Sequence, residues 1–412
     1  MLIKFNGYDF TEGGVCAAKG FQASGVHCGL RKNKDKPDLA LIVSETPCDA
    51  AAVYTKNKVK GAPLLVTKNH LAAGKVRAVI INSGNANTCN PDGEEKAEMM
   101  CRLAAEELGA DPQEVLVAST GVIGEVLPIE PIAKACPSLV KGLSSKGNIE
   151  ACQAILTTDT RKKEVAVTFS LNGNPCTVGG MAKGSGMIHP NMATMLCFMT
   201  TDAAIEPKLM QIALSAVTRD TFNMVSVDGD TSTNDMALLL ASGKAGNPVI
   251  ENPDSQEYQL FLNGLYAVMM NLSRMIAGDG EGATKLLECT VSGAKDEDTA
   301  KVLAKSVITS SLFKSAMFGE DANWGRILCA IGYSGAEADI EQVGVTLQSV
   351  KGAVCVCRNG KGVAFDEKTA KDILHADEIK IIITLEDGEG KAVAWGCDLT
   401  YDYVKINGSY RT

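Results

Sequence analysis

Apolar and polar positions alternate along this chain in two rhythms, and the switches between them lay out its elements. Residues 75–87, "KVRAVIINSGNAN", read as a buried strand running into a glycine loop. Residues 93–109, "GEEKAEMMCRLAAEELG", change to helical spacing and stop at Gly109. A second strand, "EVLVAST", breaks at Gly121. Residues 164–184 predict a hairpin, since two β-rich runs flank Asn172-Gly173-Asn174 and Asn-Gly supplies the positive φ of a tight turn. "TMLCFMTTDA" (194–203) predicts a strand, and 207–222 a helix with Pro207 in its first turn.

The segments "MVSVDGD" and "TSTNDMALLLASG" (224–243) then predict strand, turn and helix again. A long helix over 255–280 ends in glycines, and 288–313 reads as strand then helix. Residues 378–406 predict a long hairpin around Asp387-Gly388. Strands and helices alternate, yet the hairpins favour an α/β (α+β) fold of helices packed over antiparallel sheets rather than a doubly wound parallel sheet. "GDGEGATKLLE" interrupts the pattern near 285, which suggests one region over 1–285 and a second over 286–412. No internal repeat or low-complexity segment is seen.

The chain has 412 residues, 45% hydrophobic and 22% charged, an ordinary balance for a globular protein with ample core. A net charge of −9 argues against nucleic acid, whose phosphates need a basic face. No apolar run reaches the ~18 residues of a membrane span, and the N-terminus lacks a signal-peptide pattern, so a cytoplasmic address is expected. The fourteen cysteines lie scattered among small apolar residues, as buried thiols do in a reducing compartment. His27-Cys28 is the sole His/Cys adjacency, and no metal site is expected.

Candidate chemistry narrows by elimination. The glycine-rich "GGMAKGSGM" has no P-loop spacing, and no dinucleotide fingerprint opens a helix. "DGDTSTND" (228–235) lacks the glutamate that closes a calcium loop, and reads instead as residues capping a helix. No GxSxG is present. In "KGSGMIHPNMATML" (183–196) a small Ala193 precedes Thr194 on a Gly/Pro-rich approach. This is either an ordinary loop entering a strand or a self-cleaving threonine. A threonine freed by cleavage carries its own base, because its α-amine titrates at about 7.7–8.0. Thr120 and Gly121, at the end of a strand, could supply an oxyanion hole.

Eight segments in order, "INSGNAN" (81–87), "STGVIGE" (119–125), "TTDT" (157–160), "TVGGMAKGSGMIHPNMATML" (177–196), "SVDGDTSTND" (226–235), "GDGEGATK" (278–285), "NWGRI" (323–327) and the terminal "DYVKINGSYRT", closely resemble the ornithine acetyltransferase, or glutamate N-acetyltransferase, family of arginine biosynthesis. The resemblance implies self-cleavage between Ala193 and Thr194, and a Thr194 nucleophile. By ping-pong through acetyl-Thr194, the acetyl group of N2-acetylornithine would pass to L-glutamate. Carried over residue by residue, it places Thr120 and Gly121 at the oxyanion hole. It places Thr157, Lys183, Thr194, Glu281, Asn407 and Thr412 around the substrate. Lys183 suits the α-carboxylate common to both substrates.

The resemblance also implies a layered αββα sandwich, similar in layout to N-terminal-nucleophile hydrolases but differently connected. It implies two cleaved chains that stay together as an α2β2 heterotetramer. No cofactor is required, and no residue decides whether acetyl-CoA serves as a second donor. One departure is Ala322, where the family pattern has proline. Two other readings stay open: a self-processing amidohydrolase or aminopeptidase, and a non-catalytic amino-acid-binding protein.

Overall fold

A computed structural model describes residues 2–189 and 195–409 of the chain. It divides into two compact units. The first holds the described residues of 1–184, 190–222 and 231–272, and the second those of 185–189, 223–230 and 273–412.

In the first unit, nine strands hydrogen-bond into one sheet that folds into two layers, eight of them along a single path and Phe21–Val26 branching from it. The hinge is the 16-residue strand Leu39–Tyr54. Its first half pairs with Phe21–Val26 and Val76–Asn85, and its second half with Met236–Ala241. Side chains alternate across such a strand, so Ala40 and Ile42 point one way, while Leu39, Leu41 and Val43 point the other. The first set packs between the layers, with Ile81 and Leu116 against Phe198, Met236 and Leu238. The second set packs outward beneath the helices Gly93–Leu108 and Glu130–Lys141 through Met100, Cys101, Ile132 and Leu139.

Helix Gln256–Gly278 covers the far layer. It comes close because Gly180 and Gly264 lack side chains: a Cβ on Gly264 would lie 2.7 Å from the Phe169 ring. The order is therefore helix, sheet, sheet, helix, the layering the resemblance implies. This helix is long and apolar enough to cross a membrane by length and composition, but 72% of its most apolar window is buried, as in a core helix. Most strand pairs are antiparallel, and some parallel neighbours are joined by a helical crossover. Thus Val76–Asn85 and Val115–Val122 are parallel through the helix Gly93–Leu108, as a crossover requires.

The Asn-Gly hairpin forms as expected, with strands Lys163–Leu171 and Asn174–Lys183 joined by Asn172 (φ 51°) and Gly173 (φ 81°). Two expectations fail. The run "MALLLA" is a strand, Met236–Ala241, not a helix; it lies parallel to Leu196–Thr201 with every residue buried. A short run that is apolar on both faces has no period by which to tell the two apart.

The second failure lies in the second unit, a seven-stranded sheet. Strands Glu378–Thr384 and Gly390–Cys397 are not paired with each other, because Leu286–Ala294 lies between them, parallel to the first and antiparallel to the second. The Asp387-Gly388 segment instead wraps the end of that central strand, where both backbone N–H groups donate to the Gly293 carbonyl.

Candidate active site

In the first unit, the parallel strands Val76–Asn85 and Val115–Val122 end in a register irregularity at Gly84 and Asn85. Gly121 stands opposite, with φ 137°, and a Cβ there would lie 2.3 Å from the Gly84 carbonyl carbon. Both the angle and the space demand glycine. The strand runs through this point rather than breaking at it. Next to it Thr120, buried, accepts a hydrogen bond of 3.2 Å through Oγ1 from Lys183 Nζ.

Asn234, quoted within "SVDGDTSTND", clamps the two strand ends together. Its Nδ2 donates to the Ala86 carbonyl at 2.6 Å and to the Ser119 carbonyl at 3.0 Å.

Asp159 gathers the rest of this cluster. Its Oδ1 accepts from Lys163 Nζ at 2.7 Å and from the Gly184 N–H at 2.7 Å, and its Oδ2 from the Thr157 N–H at 3.0 Å. Thr157 and Lys183, far apart in sequence, are thus tied to the same carboxylate, the latter through its neighbour Gly184. Burial alone would raise the Asp159 carboxyl, but Lys163 and Lys183 outweigh it and hold the group below the usual carboxylate range. For Lys183, burial lowers the ammonium's proton affinity, Asp159 and Asp235 oppose this, and Lys163 and Arg31 add to it.

In the second unit, Glu281 is buried, and its Oε2 accepts a 2.7 Å hydrogen bond from Asn407 Nδ2. Its backbone N–H donates to the Ser185 carbonyl at 2.9 Å. Gly186 makes room for the carboxyl group, since a Cβ there would sit 2.4 Å from it. The helix Tyr401–Gly408, which carries Asn407, has no buried residue. Asp228 does not cap a helix. It accepts from the backbone N–H groups of Met187 and Ile188 at 2.6 and 2.8 Å, fixing the loop that leads toward residue 190.

The structure therefore brings Thr120, Gly121, Thr157 and Lys183 together in one unit, and Glu281 with Asn407 in the other. Ala193, Thr194 and Thr412 lie outside the described residues. Asp159, Lys163, Asn234 and Asp235 are additions that residue-by-residue reading missed. Asp159 and Lys163 stand four apart, a pairing that a charge scan at that spacing would have flagged.

The family model described as the ArgJ family matches residues 22–412. The arginine biosynthesis bifunctional protein ArgJ of Caldanaerobacter subterraneus subsp. tengcongensis is 49% identical over 405 residues, 98% of this chain and 100% of its own length. Its counterpart ArgJ 1 of Clostridium acetobutylicum is 51% identical over 393 residues, 95% of this chain and 96% of its own. A crystal structure of ornithine acetyltransferase complexed with ornithine, from Mycobacterium tuberculosis, is 40% identical and covers 45% of this chain and 100% of its own, with a TM-score of 0.42. The chain belongs to the ArgJ family.

Proposed function

We propose that this protein is a glutamate N-acetyltransferase, which moves the acetyl group from N2-acetylornithine to L-glutamate through acetyl-Thr194 after self-cleavage at Ala193-Thr194. Membership of a family whose relatives are named as bifunctional enzymes of arginine biosynthesis supports the activity. The observation that carries it is the buried Lys183 ammonium in hydrogen-bond reach of Thr120, beside a Gly121 that tolerates no side chain.

The chemistry follows in two halves. The freed α-amine of Thr194 takes the proton of its own hydroxyl, and Oγ1 attacks the acetyl carbonyl. The Thr120 hydroxyl and the Gly121 N–H stabilise the oxyanion, a contribution of about 10²–10³ in rate for one such donor. Collapse breaks the amide C–N bond, and ornithine leaves with the proton on its amine. Glutamate's amine then attacks the ester, and N-acetylglutamate departs as the hydroxyl is restored. Lys183 and Thr157 hold the substrate carboxylate, with Glu281, Asn407 and Thr412 completing the contacts to substrate.

The acetyl group travels on the protein itself, so no cofactor is invoked; acetyl-CoA is proposed as an alternative donor. The strands Asn174–Lys183 and Leu196–Thr201 pair antiparallel on either side of the proposed cut. Each product would keep a strand of one shared sheet, which supports two chains that stay together, here proposed as α2β2 in the cytoplasm. Incubation with N2-acetylornithine and isotopically labelled ornithine, without glutamate, tests the ping-pong step. Label entering acetylornithine is expected; no exchange in an otherwise active enzyme would overturn the covalent intermediate.

A further inference from the structure

Asp235 is an acid that the reaction above does not use. It sits one residue before the strand Met236–Ala241, whose parallel register with Leu196–Thr201 starts at Met236 opposite Leu196. The Met236 N–H donates to the Met195 carbonyl at 3.0 Å, which sets Asp235 level with Met195, the residue bonded to Thr194. Its side chain is only 2% exposed, and its Oδ2 has no hydrogen-bond partner among the described residues. A buried carboxyl oxygen left without a partner is costly, and a chain that needed only a shape there could place an apolar residue. Asp159, in the same unit, shows the alternative: both of its oxygens are bonded.

Lys183 ends the strand Asn174–Lys183 opposite Leu196, and Leu196 in turn lies opposite Met236, so Lys183 and Asp235 flank the same end of the strand Leu196–Thr201. The groups that act on the Asp235 carboxyl are the hydroxyls of Ser232 and Thr55, the Met195 backbone amide and Lys183, the one cation among them. Burial raises its proton affinity well above the usual carboxylate range, against the pull of these four. Lys183 in turn faces Asp159, Asp235, Lys163 and Arg31. Asp159 is already engaged by Lys163. Asp235 is therefore the acid with an oxygen to spare beside Lys183.

Resting on the reading of Lys183 as the carboxylate anchor and Thr194 as the nucleophile, we propose that Asp235 is a positioning residue for acetyl transfer. It holds the Met195 amide next to Thr194, and it keeps Lys183 cationic when a substrate carboxylate arrives. Where the Asp235 carboxyl is ionised, its negative charge opposes loss of the Lys183 proton without a direct bond between them, so Lys183 stays charged to higher pH than it could alone. Removing the carboxylate removes that support, so the lysine loses its proton at lower pH.

The test is the pH profile of kcat/KM for glutamate with Asp235→Asn, which keeps the shape and cannot ionise. The alkaline limb should move down by about one pH unit, so that KM for glutamate at alkaline pH rises about tenfold while kcat near neutral pH changes little. A limb that stays in place in a cleaved, folded variant would overturn the inference, as would a uniform fall in kcat with an unchanged profile. Should Asp235→Asn fail to fold, the same shift is expected of Asp235→Ser, and an unmoved limb there would overturn the inference equally. Thr194→Ala separates the two levels: activity in that variant would overturn the nucleophile itself. An inactive Thr194→Ala beside an unshifted Asp235→Asn would overturn only the role of Asp235.

Discussion

Two lysines are buried at the open end of one hairpin, one on each strand, and they are used differently. Lys163, fully buried, donates to Asp159 at 2.7 Å and to the Arg161 carbonyl at 3.4 Å. The Lys183 ammonium, almost as buried, makes one hydrogen bond among the described residues, to the neutral Thr120 hydroxyl. A buried charge with its own counter-ion holds structure together. On the function proposed above, a buried charge kept beside a hydroxyl, with no carboxylate of its own at bonding distance among the described residues, is held ready for an anion from outside. In that reading the difference separates a structural group, Lys163, from a binding group, Lys183.

The sharpest way to break this comparison is to remove each cation in turn. Lys163→Met leaves Asp159 buried beside a more distant charge and should cost about 3–5 kcal/mol of stability, the range for breaking one side of a buried pair. Lys183→Met should shift stability by no more than about 1 kcal/mol, because an apolar side chain replaces a desolvated charge. Its acetyl transfer should fall at least about a hundredfold. Urea midpoints and steady-state rates on both variants check this, and equal stability losses would erase the distinction.

Gly121→Ala comes next. With φ at 137° and backbone 2.3 Å from the new Cβ, the end of the strand must shift. A displaced oxyanion donor should lower kcat by about 10²–10³ with KM little changed. A loss confined to KM would instead place Gly121 in ground-state binding.

The smallest effect is one of pH. The Asp159 carboxyl is held below its ordinary range in the folded state. Its contribution to stability is therefore fully present above the ordinary carboxylate value and is lost as pH falls below it toward the folded value. The stability gap between the wild type and Asp159→Asn should be widest near neutrality and should narrow in acid below about pH 4. A gap independent of pH would mean that hydrogen bonding, not charge, makes Asp159 valuable.

Much of this architecture was legible from local pattern. The helix ending at Gly109, the Asn172-Gly173 turn and the strand–helix–strand unit over 76–122 each follow from period and turn chemistry, which act over a few residues. "MALLLA" and the pairing of 378–397 were not legible, because burial on both faces erases the period and a strand inserted from residue 286 leaves no local trace. The site divides likewise. Thr120, Gly121 and Lys183 could be named from their motifs, whereas Asp159 and Asp235 stood in quoted segments too but went unassigned, because they matter through what folds against them. A buried carboxylate and a solvated one look the same in one dimension.

The central claim is that Thr194 is made by self-cleavage and then carries the acetyl group. Intact mass of the denatured protein, beside a Thr194→Ala control, tests it most directly. Two fragments divided at Ala193-Thr194 in the wild type, one full-length chain in the control, and an acetyl adduct on the Thr194 fragment after adding N2-acetylornithine are the expected result. An active wild-type protein that stays a single uncut chain would contradict the account, because no free α-amine would then stand beside the hydroxyl.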